Sequence, residues 1–329
     1  MYKAILSVPF VDDKRTIMTC ENIKNKQSGK VSSTLCDKMI KTMIPKSNVE
    51  LLELCYKCYD NISGNGLIDM GNRNGIKWNR NETILAYELY CRTPFSKISS
   101  TNPDIIALAE LLGRTPGSVG LKMHNLAHFD PELQKRNVTA MAHGSKLDAE
   151  IFHEFETDWA GLSYLAQTIK AEMLHQEVAD MLDLEDVSEM PAGEYRERMT
   201  KIRVGQYFFR LSVLNSYKNQ CCITGANHKN LLIASHIKPW SACDERTERT
   251  NPSNGLCLNP FHDKAFDKGL ITIDKNYHVV ISKEIKDVKM DRKTRDWFMS
   301  YEKHQIDLPD KFYPGKEFIE YHNDVVFRG

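Results

Sequence analysis

Apolar residues recur three or four positions apart along most of this chain, which is the spacing of a helix that buries one face. Turn and capping residues separate these stretches; Asn102-Pro103 opens one of them and Gly113 closes it. The pattern predicts helices at residues 48–61, from Asn81 onward, at 104–112, at 118–127 and through 148–186. We therefore expect the first two hundred residues to be mainly helical.

The pattern changes beyond residue 200. Residues 231–235 and 255–258 are short apolar runs that predict two strands, and residues 260–268 predict a short helix. The expected fold class is α+β, with a mainly helical N-terminal region followed by a strand–strand–helix domain. We place the divisions at residues 1–75, of unknown role, a helical unit at 76–145, a helical connector with an acidic linker at 146–200, and the C-terminal domain with an extension at 201–329.

Composition fits a globular protein, since 41% of the 329 residues are hydrophobic, 27% are charged and the net charge is zero. No apolar run reaches the roughly 18 residues of a membrane span, and charged residues from Asp12 interrupt any signal peptide, so we expect a cytoplasmic protein. The charge is segregated along the chain. Residues 176–199 hold eight acids against two bases, whereas residues 200–220 hold four bases and no acid. A zero total therefore leaves room for a basic face that binds nucleic acid.

The helical unit at residues 76–145 has the layout of a helix-turn-helix, because a glycine-containing turn joins two of its predicted helices. In such a unit the last helix enters the major groove of DNA, which makes Arg114 and Lys122 candidate DNA contacts. A small helical scaffold without any nucleic-acid role has the same pattern, and both interpretations stay open at this point.

Three polar residues stand in order in the C-terminal stretch. His236 ends the first predicted strand, Asn254 precedes the second, and His262 lies in the helix that follows. Two strands and a helix would bring His236 against His262, where a metal ion could bridge them. Phosphodiester hydrolysis needs such groups, since a neutral His accepts a proton from water near pH 7 and a divalent metal stabilises the leaving oxygen.

The surrounding motifs are Cys-Ile-Thr-Gly from Cys222, Ser-His-Ile-Lys-Pro-Trp from Ser235, Asn-Gly-Leu from Asn254, and His-Asp-Lys-Ala-Phe-Asp-Lys-Gly-Leu from His262. With these motifs, the segment from about residue 203 to 282 resembles the HNH endonuclease family of the ββα-metal type. Residues 78–130 also resemble the N-terminal half of bacterial proteins described as predicted restriction endonucleases. The two resemblances lie within residues 78–282, a span of about two thirds of the chain, and residues 1–75 lie outside it.

The resemblance implies a metal-dependent DNA endonuclease that uses Mg²⁺ or Mn²⁺. His236 would be the general base, Asn254 would hold the loop that positions His236, and His262 would bind the metal. Lys238 and Lys264 would contact phosphates. The same resemblance implies restriction or other defence against foreign DNA. Cutting both strands would also favour a homodimer, because it usually needs two active sites.

One position departs from the family pattern. Many HNH enzymes carry Asp or His directly before the general base as a second metal ligand, whereas this chain has Ser235, whose hydroxyl is a poorer ligand. Asp267 is a candidate for the missing ligand, five residues beyond His262. The alternative functions are therefore a DNA-binding regulator whose HNH fold is inactive, and a nuclease that acts on RNA or on modified DNA.

The nine cysteines give no complete zinc motif. Gly225 stands three positions after Cys222, and Cys257 has no cysteine three positions away, so both Cys-x-x-Cys pairs of zinc-bound HNH domains are interrupted. Cys55-x-x-Cys58 has ligand spacing but falls within a predicted helix. We expect reduced thiols that pack as small apolar residues, and no structural zinc.

Overall fold

The computed structural model describes residues 75–135, 144–188, 190–287 and 290–329. The chain divides into two compact units, Met1–Gly71 and Asn72–Gly329, and all of the described residues belong to the second. The predicted helix at residues 48–61, with its Cys-x-x-Cys spacing, lies outside the described residues. Within the described ranges, no helix is long and apolar enough to cross a membrane.

The first part of this unit is helical, as the apolar spacing predicts. Asn79, rather than Asn81, caps the first helix: its side chain accepts from the Glu82 amide, and Glu82 accepts from the Asn79 amide. Asn102 caps the second helix, and Gly113 ends it with a left-handed φ of 63°. The helices are α1 (Arg80–Arg92), α2 (Pro103–Leu112), α3 (Pro116–Ala127), α4 (Pro131–Lys135), α5 (Lys146–Phe155), α6 (Trp159–Leu174), α7 (Val178–Met181), α8 (Glu185–Ser188) and α9 (Glu194–Ser216).

The strands come late in the chain and form two antiparallel hairpins, which confirms the α+β class. In the first hairpin β1 (Ile233–His236) pairs with β2 (Gly255–Leu258), and His236 lies opposite Gly255. Helix α10 (Pro260–Asp267) follows directly, as predicted. The second hairpin pairs β3 (Ile271–Ile273) with β4 (Val279–Ile281). The remaining helices are α11 (Lys283–Asp287), α12 (Arg292–Met299) and α13 (Lys316–Tyr321), which continues into a π-helical turn, His322–Val326.

Helix α9 connects two hydrophobic cores. Phe208 packs in the core of the N-terminal helices, whereas the next residue, Phe209, packs in the core of the two hairpins. The C-terminal segment adds a second connection through the buried Lys311, whose Nζ lies 2.6 Å from the Tyr90 carbonyl oxygen and 3.3 Å from the centre of the Tyr90 ring. Position 200, where the sequence analysis places a division, falls inside α9.

The two candidate DNA contacts of the helical unit are buried, which corrects the expectation for Arg114 and Lys122. Arg114 Nη2 lies 2.8 Å from Glu82 Oε2, and its side chain is 3% exposed. Lys122 Nζ lies 2.6 Å from Asp148 Oδ1, with the two side chains 6% and 0% exposed. Both cations also lie over the Trp78 ring. Because these charges are neutralised inside the fold, neither side chain is available to a phosphate, and the scaffold interpretation is favoured.

Candidate active site

His236 ends β1 with its ring held on three sides. The ring stacks on Phe209 with centroids 4.0 Å apart, and Trp240 meets its edge at 5.5 Å. Nε2 lies 2.9 Å from the carbonyl oxygen of Arg249. A carbonyl oxygen only accepts hydrogen bonds, so Nε2 carries the hydrogen and Nδ1 of the neutral ring has the free lone pair. Burial lowers the pKa of His236, with a smaller opposing effect of the hydrogen bond to Arg249, and the neutral ring is therefore favoured at pH 7.

Asn254 is fully buried and joins the segment after β1 to the start of β2. Its Oδ1 accepts from the Lys238 amide at 2.8 Å, and its Nδ2 donates to the Lys238 carbonyl at 3.2 Å. Nδ2 also lies 3.2 Å from Cys243 Sγ, and the Asn254 carbonyl accepts from the Ile237 amide at 2.9 Å. These bonds begin one residue after His236 and fix the chain that leaves it. Holding this loop is the role that the sequence analysis expects of Asn254.

His262 lies in a different environment. It is 1% exposed, and its ring stacks on Trp297 at 4.6 Å and meets the edge of Tyr301 at 5.2 Å. Its Nδ1 lies 3.0 Å from Nδ2 of Asn259, the residue that caps α10. Burial lowers the pKa of His262 to about 4, so the ring is neutral at physiological pH. Among the described residues, the aromatic rings that contact His262 are different from those that contact His236.

The neighbouring carboxyl group, Asp263, is the residue of α10 that meets β1. Burial raises the pKa of Asp263, hydrogen bonding from Ser235 lowers it, and the charge of Asp267 raises it again. Asp263 and Asp267 are four residues apart and so share one face of α10, whereas His262 lies about 100° around the helix from Asp263. The Ser235 hydroxyl is buried without a well-formed hydrogen bond among the described residues. Ser235 and Asp263 therefore place two oxygen-bearing side chains beside the end of β1, and Asp267 lies one helical turn further along α10.

Sequence reasoning missed Asp263, although a signal for it was present. The motif that begins at His262 places two aspartates at i and i+4 of one predicted helix, and that spacing puts two carboxylates on a common face. The step from His262 to Asp267, in contrast, spans five residues and turns to another face. The spacing alone thus favours Asp263 over His262 as the companion of Asp267.

The two predicted phosphate contacts differ in availability. Lys238 Nζ lies 2.6 Å from Glu248 Oε2 and 5.2 Å from the centre of the Tyr321 ring, so its charge is already paired. Lys264 is exposed on α10; burial raises the pKa of Asp263 and of Asp267, and the positive charge of Lys264 opposes that rise in both. Lys264 is therefore the freer of the two cations.

The cysteines of this domain are buried thiols. Cys221, Cys222 and Cys257 lie in the hairpin core, and burial raises the pKa of Cys257 to about 12. Thiolate is the form that binds metal, and burial disfavours it at Cys222 and Cys257. Within the described residues, no three His, Cys, Asp or Glu side chains come together as a metal-binding group.

Comparison with known proteins identifies the domain that contains these residues. A family model for HNH endonucleases matches residues 221–274, the segment that holds β1, β2, α10 and β3. Matching solved structures include a modification-dependent restriction endonuclease, TagI, at 19% identity over 35% of each chain, with a TM-score of 0.25. The match spans about one third of that chain. No curated protein matches the chain significantly. Residues 221–274 thus belong to the HNH endonuclease family, and this chain carries a nuclease domain.

Proposed function

We propose that the chain is a metal-dependent DNA endonuclease in which His236 is the general base. The observation that carries this proposal is the hydrogen bond between His236 Nε2 and the Arg249 carbonyl, because it leaves Nδ1 as the lone-pair nitrogen of a neutral ring. Nδ1 takes a proton from a water molecule as that water attacks the scissile phosphorus. The imidazolium that forms keeps its Nε2 hydrogen bond to the carbonyl, which stabilises the charged ring.

Asp263 and Asp267 fit a divalent cation better than His262 does. They share a helix face, the charge of Asp267 raises the pKa of Asp263, and the buried Ser235 hydroxyl lies beside Asp263. Two carboxylates and a hydroxyl are the hard oxygen donors that Mg²⁺ and Mn²⁺ prefer, with water completing the coordination. When bound, such a cation supplies positive charge that stabilises the leaving oxygen. We propose that His262 is a packing residue that orients α10 against α12.

The wider biological assignments are proposals as well. DNA as substrate, a homodimer that cuts both strands, a cytoplasmic location and restriction or other defence are consistent with the nuclease domain. The competing proposal is a DNA-binding regulator whose HNH domain is inactive. It is based on Ser235, which stands where many HNH enzymes carry Asp or His as a metal ligand.

Plasmid cleavage separates these proposals. Supercoiled DNA is incubated with the protein in Mg²⁺ or Mn²⁺, then with excess chelator. We expect nicked or linear product that the chelator abolishes, and a loss of at least a hundredfold in His236→Ala, given what general-base catalysis contributes. His278→Ala is the matched control, because His278 is a partly exposed histidine of the same domain, outside the site. DNA that is bound but uncut by wild type over varied sequences and modifications would instead support the regulator.

Mn²⁺ binding tests the choice of ligand. We expect Asp263→Asn to weaken Mn²⁺ binding at least tenfold, as measured by electron paramagnetic resonance titration, because it removes an anionic donor. His262→Gln should keep the affinity of wild type and lower thermal stability, since its ring packs on Trp297. The opposite result, with Mn²⁺ affinity lost only in the His262 variant, would show that His262 and not Asp263 binds the metal.

A further inference from the structure

A cleft opens beside His236, between the first half of α9 and the loop that joins β1 to β2. Its volume is about 380 Å³. Two of its lining residues contact the His236 ring: Trp240 meets the ring edge at 5.5 Å, and Arg249 supplies the carbonyl oxygen 2.9 Å from Nε2. A nucleic-acid strand whose scissile phosphate lies at His236 therefore has a neighbouring phosphate within reach of this cleft.

Positive charge predominates in the cleft. Its two acids are each approached by an arginine: Arg246 Nη2 lies 3.1 Å from Asp158 Oδ2, and Arg249 Nη1 lies 3.8 Å from Glu245 Oε2. The other two basic residues that line it have no acidic partner within the part of the chain that the structure describes, and they are Arg198 and Lys201. The lining thus has two basic side chains in excess, in a protein whose total charge is zero.

Arg198 and Lys201 are held in a fixed arrangement. They are exposed and lie three residues apart on α9, a helix of 23 residues, so their side chains project from one face. A rigid helix keeps both cations on the cleft side without the ordering cost of a loop. Two unpaired cations at one helix face are a footprint suited to successive phosphates of a strand.

Buried hydrogen-bonding atoms without partners lie in the same cleft. Thr250 is 4% exposed, yet its Oγ1 has no hydrogen bond among the described residues, and the same holds for Nε of Arg249. The Thr250 methyl group packs on α9 at Gly205, where a Cβ atom would lie 2.7 Å from it. Buried polar atoms are nearly always paired in folded proteins, so Thr250 Oγ1 and Arg249 Nε are available to donate hydrogen bonds to a ligand. A phosphate oxygen accepts hydrogen bonds from a guanidinium and from a hydroxyl alike.

We propose that this cleft binds the phosphate groups of the nucleic-acid strand that flank the scissile phosphate, with Arg198 and Lys201 at its mouth and Arg249 and Thr250 inside. This inference rests on the proposed nuclease function and assigns part of the substrate's path. It moves the DNA contact from the helical unit, where Arg114 and Lys122 are buried, to the first half of α9.

The test measures DNA binding separately from cleavage. Affinity of the full chain for a fluorescent DNA duplex is measured in chelator, across a series of salt concentrations, for wild type and for Arg198→Ala/Lys201→Ala. Each lost phosphate contact lowers the slope of log affinity against log salt by about 0.9, so we expect a decrease of about 1.8 and an affinity loss of roughly ten- to a hundredfold near 0.1 M salt. In cleavage assays with metal, KM should rise and kcat should stay within a few fold of wild type.

Lys275→Ala/Lys316→Ala is the control, because it also removes two exposed lysine charges that have no ion pair among the described residues and lie outside the cleft. It should leave affinity and salt slope unchanged. Three results would overturn the proposal that the cleft binds phosphates. They are an equal loss of DNA affinity in both double variants, an unchanged salt slope in the α9 variant, and no salt-dependent DNA binding by wild type. Cleavage with an unchanged KM in the α9 variant would refute phosphate binding by the cleft and leave the nuclease proposal intact. A reduced salt slope in the α9 variant, together with a plasmid that wild type does not cut, would support phosphate binding by the cleft and refute the nuclease proposal.

Discussion

Replacing Lys122 with Met should destabilise the protein severely, and this follows from its place inside the helical unit. The Lys122 ammonium lies 2.6 Å from Asp148 Oδ1, and the Asp148 side chain is completely buried. After the substitution Asp148 keeps only its hydrogen bonds near the start of α5, including the one that Oδ2 accepts from the Ser145 amide at 2.9 Å. The carboxylate would then be an uncompensated charge in the interior.

The expected loss is about 3 to 5 kcal/mol of unfolding free energy, the range found when one partner of a buried ion pair is removed. Total stabilities are usually about 5 to 15 kcal/mol, so this loss is a large fraction. It corresponds to a fall in melting temperature of roughly 6 to 20 °C for a domain of this size. Urea unfolding followed by tryptophan fluorescence measures it as a shift in midpoint.

Lys146→Met is the matched control, since Lys146 begins the same helix α5 with a side chain that is 92% exposed. It should change stability by less than about 0.5 kcal/mol. If Lys122→Met were as stable as this control while its DNA affinity fell, Lys122 would be a DNA contact after all and the scaffold interpretation would be wrong.

Four further outcomes are expected. Asn254→Ala should lower the cleavage rate about a hundredfold, by freeing the loop after His236, and should cost about 1 to 3 kcal/mol in urea unfolding; wild-type cleavage would contradict the positioning role. Because burial lowers the pKa of His236, the cleavage rate at saturating metal should fall at acidic pH and level off by neutral pH, and a rate that still rises tenfold per unit above pH 7 would refute this. Burial lowers the pKa of Lys311 to about 7, so the unfolded chain holds one more proton from pH 7 to 9; the unfolding free energy should rise by about 1 to 3 kcal/mol over that interval, and Lys311→Met should lack the rise. Gly255→Ala would push a Cβ into Val213 of α9 and should cost at least about 1 to 3 kcal/mol, which calorimetry would detect as a lower melting temperature.

The elements that the sequence predicts well are those with local causes. Asn102 and Gly113 fix the ends of α2 through their own side chain and backbone, with no help from distant residues. The order of two strands and a helix follows from apolar runs broken by turn residues, and β1, β2 and α10 appear where those runs lie. The candidate general base, His236, follows from its motif, and its hydrogen bonding in the structure suits that role.

The misplaced residues depend on partners far away in the chain. Lys122 is buried because Asp148, 26 residues later, and Trp78 close around it, and no local pattern reveals those contacts. The His262 ring is buried because Trp297, 35 residues later on α12, stacks on it, and the motif around His262 does not reveal that contact. Asp263 differs from these residues, because its spacing to Asp267 is local and can be seen in the sequence.

The adjacent residues Phe208 and Phe209 limit how this nuclease can be recombined with other proteins. Because one side chain belongs to each core, α9 is an internal part of both. A fusion that began at residue 221, where the family match starts, would leave the His236 ring without the Phe209 ring on which it stacks. A unit that can be fused to another protein has to begin at the start of α9, near residue 194. Without the N-terminal helices, the Phe208 side of α9 would be exposed, so the fusion partner has to cover it. The helical region is therefore better regarded as half of the enzyme's framework than as an exchangeable targeting module.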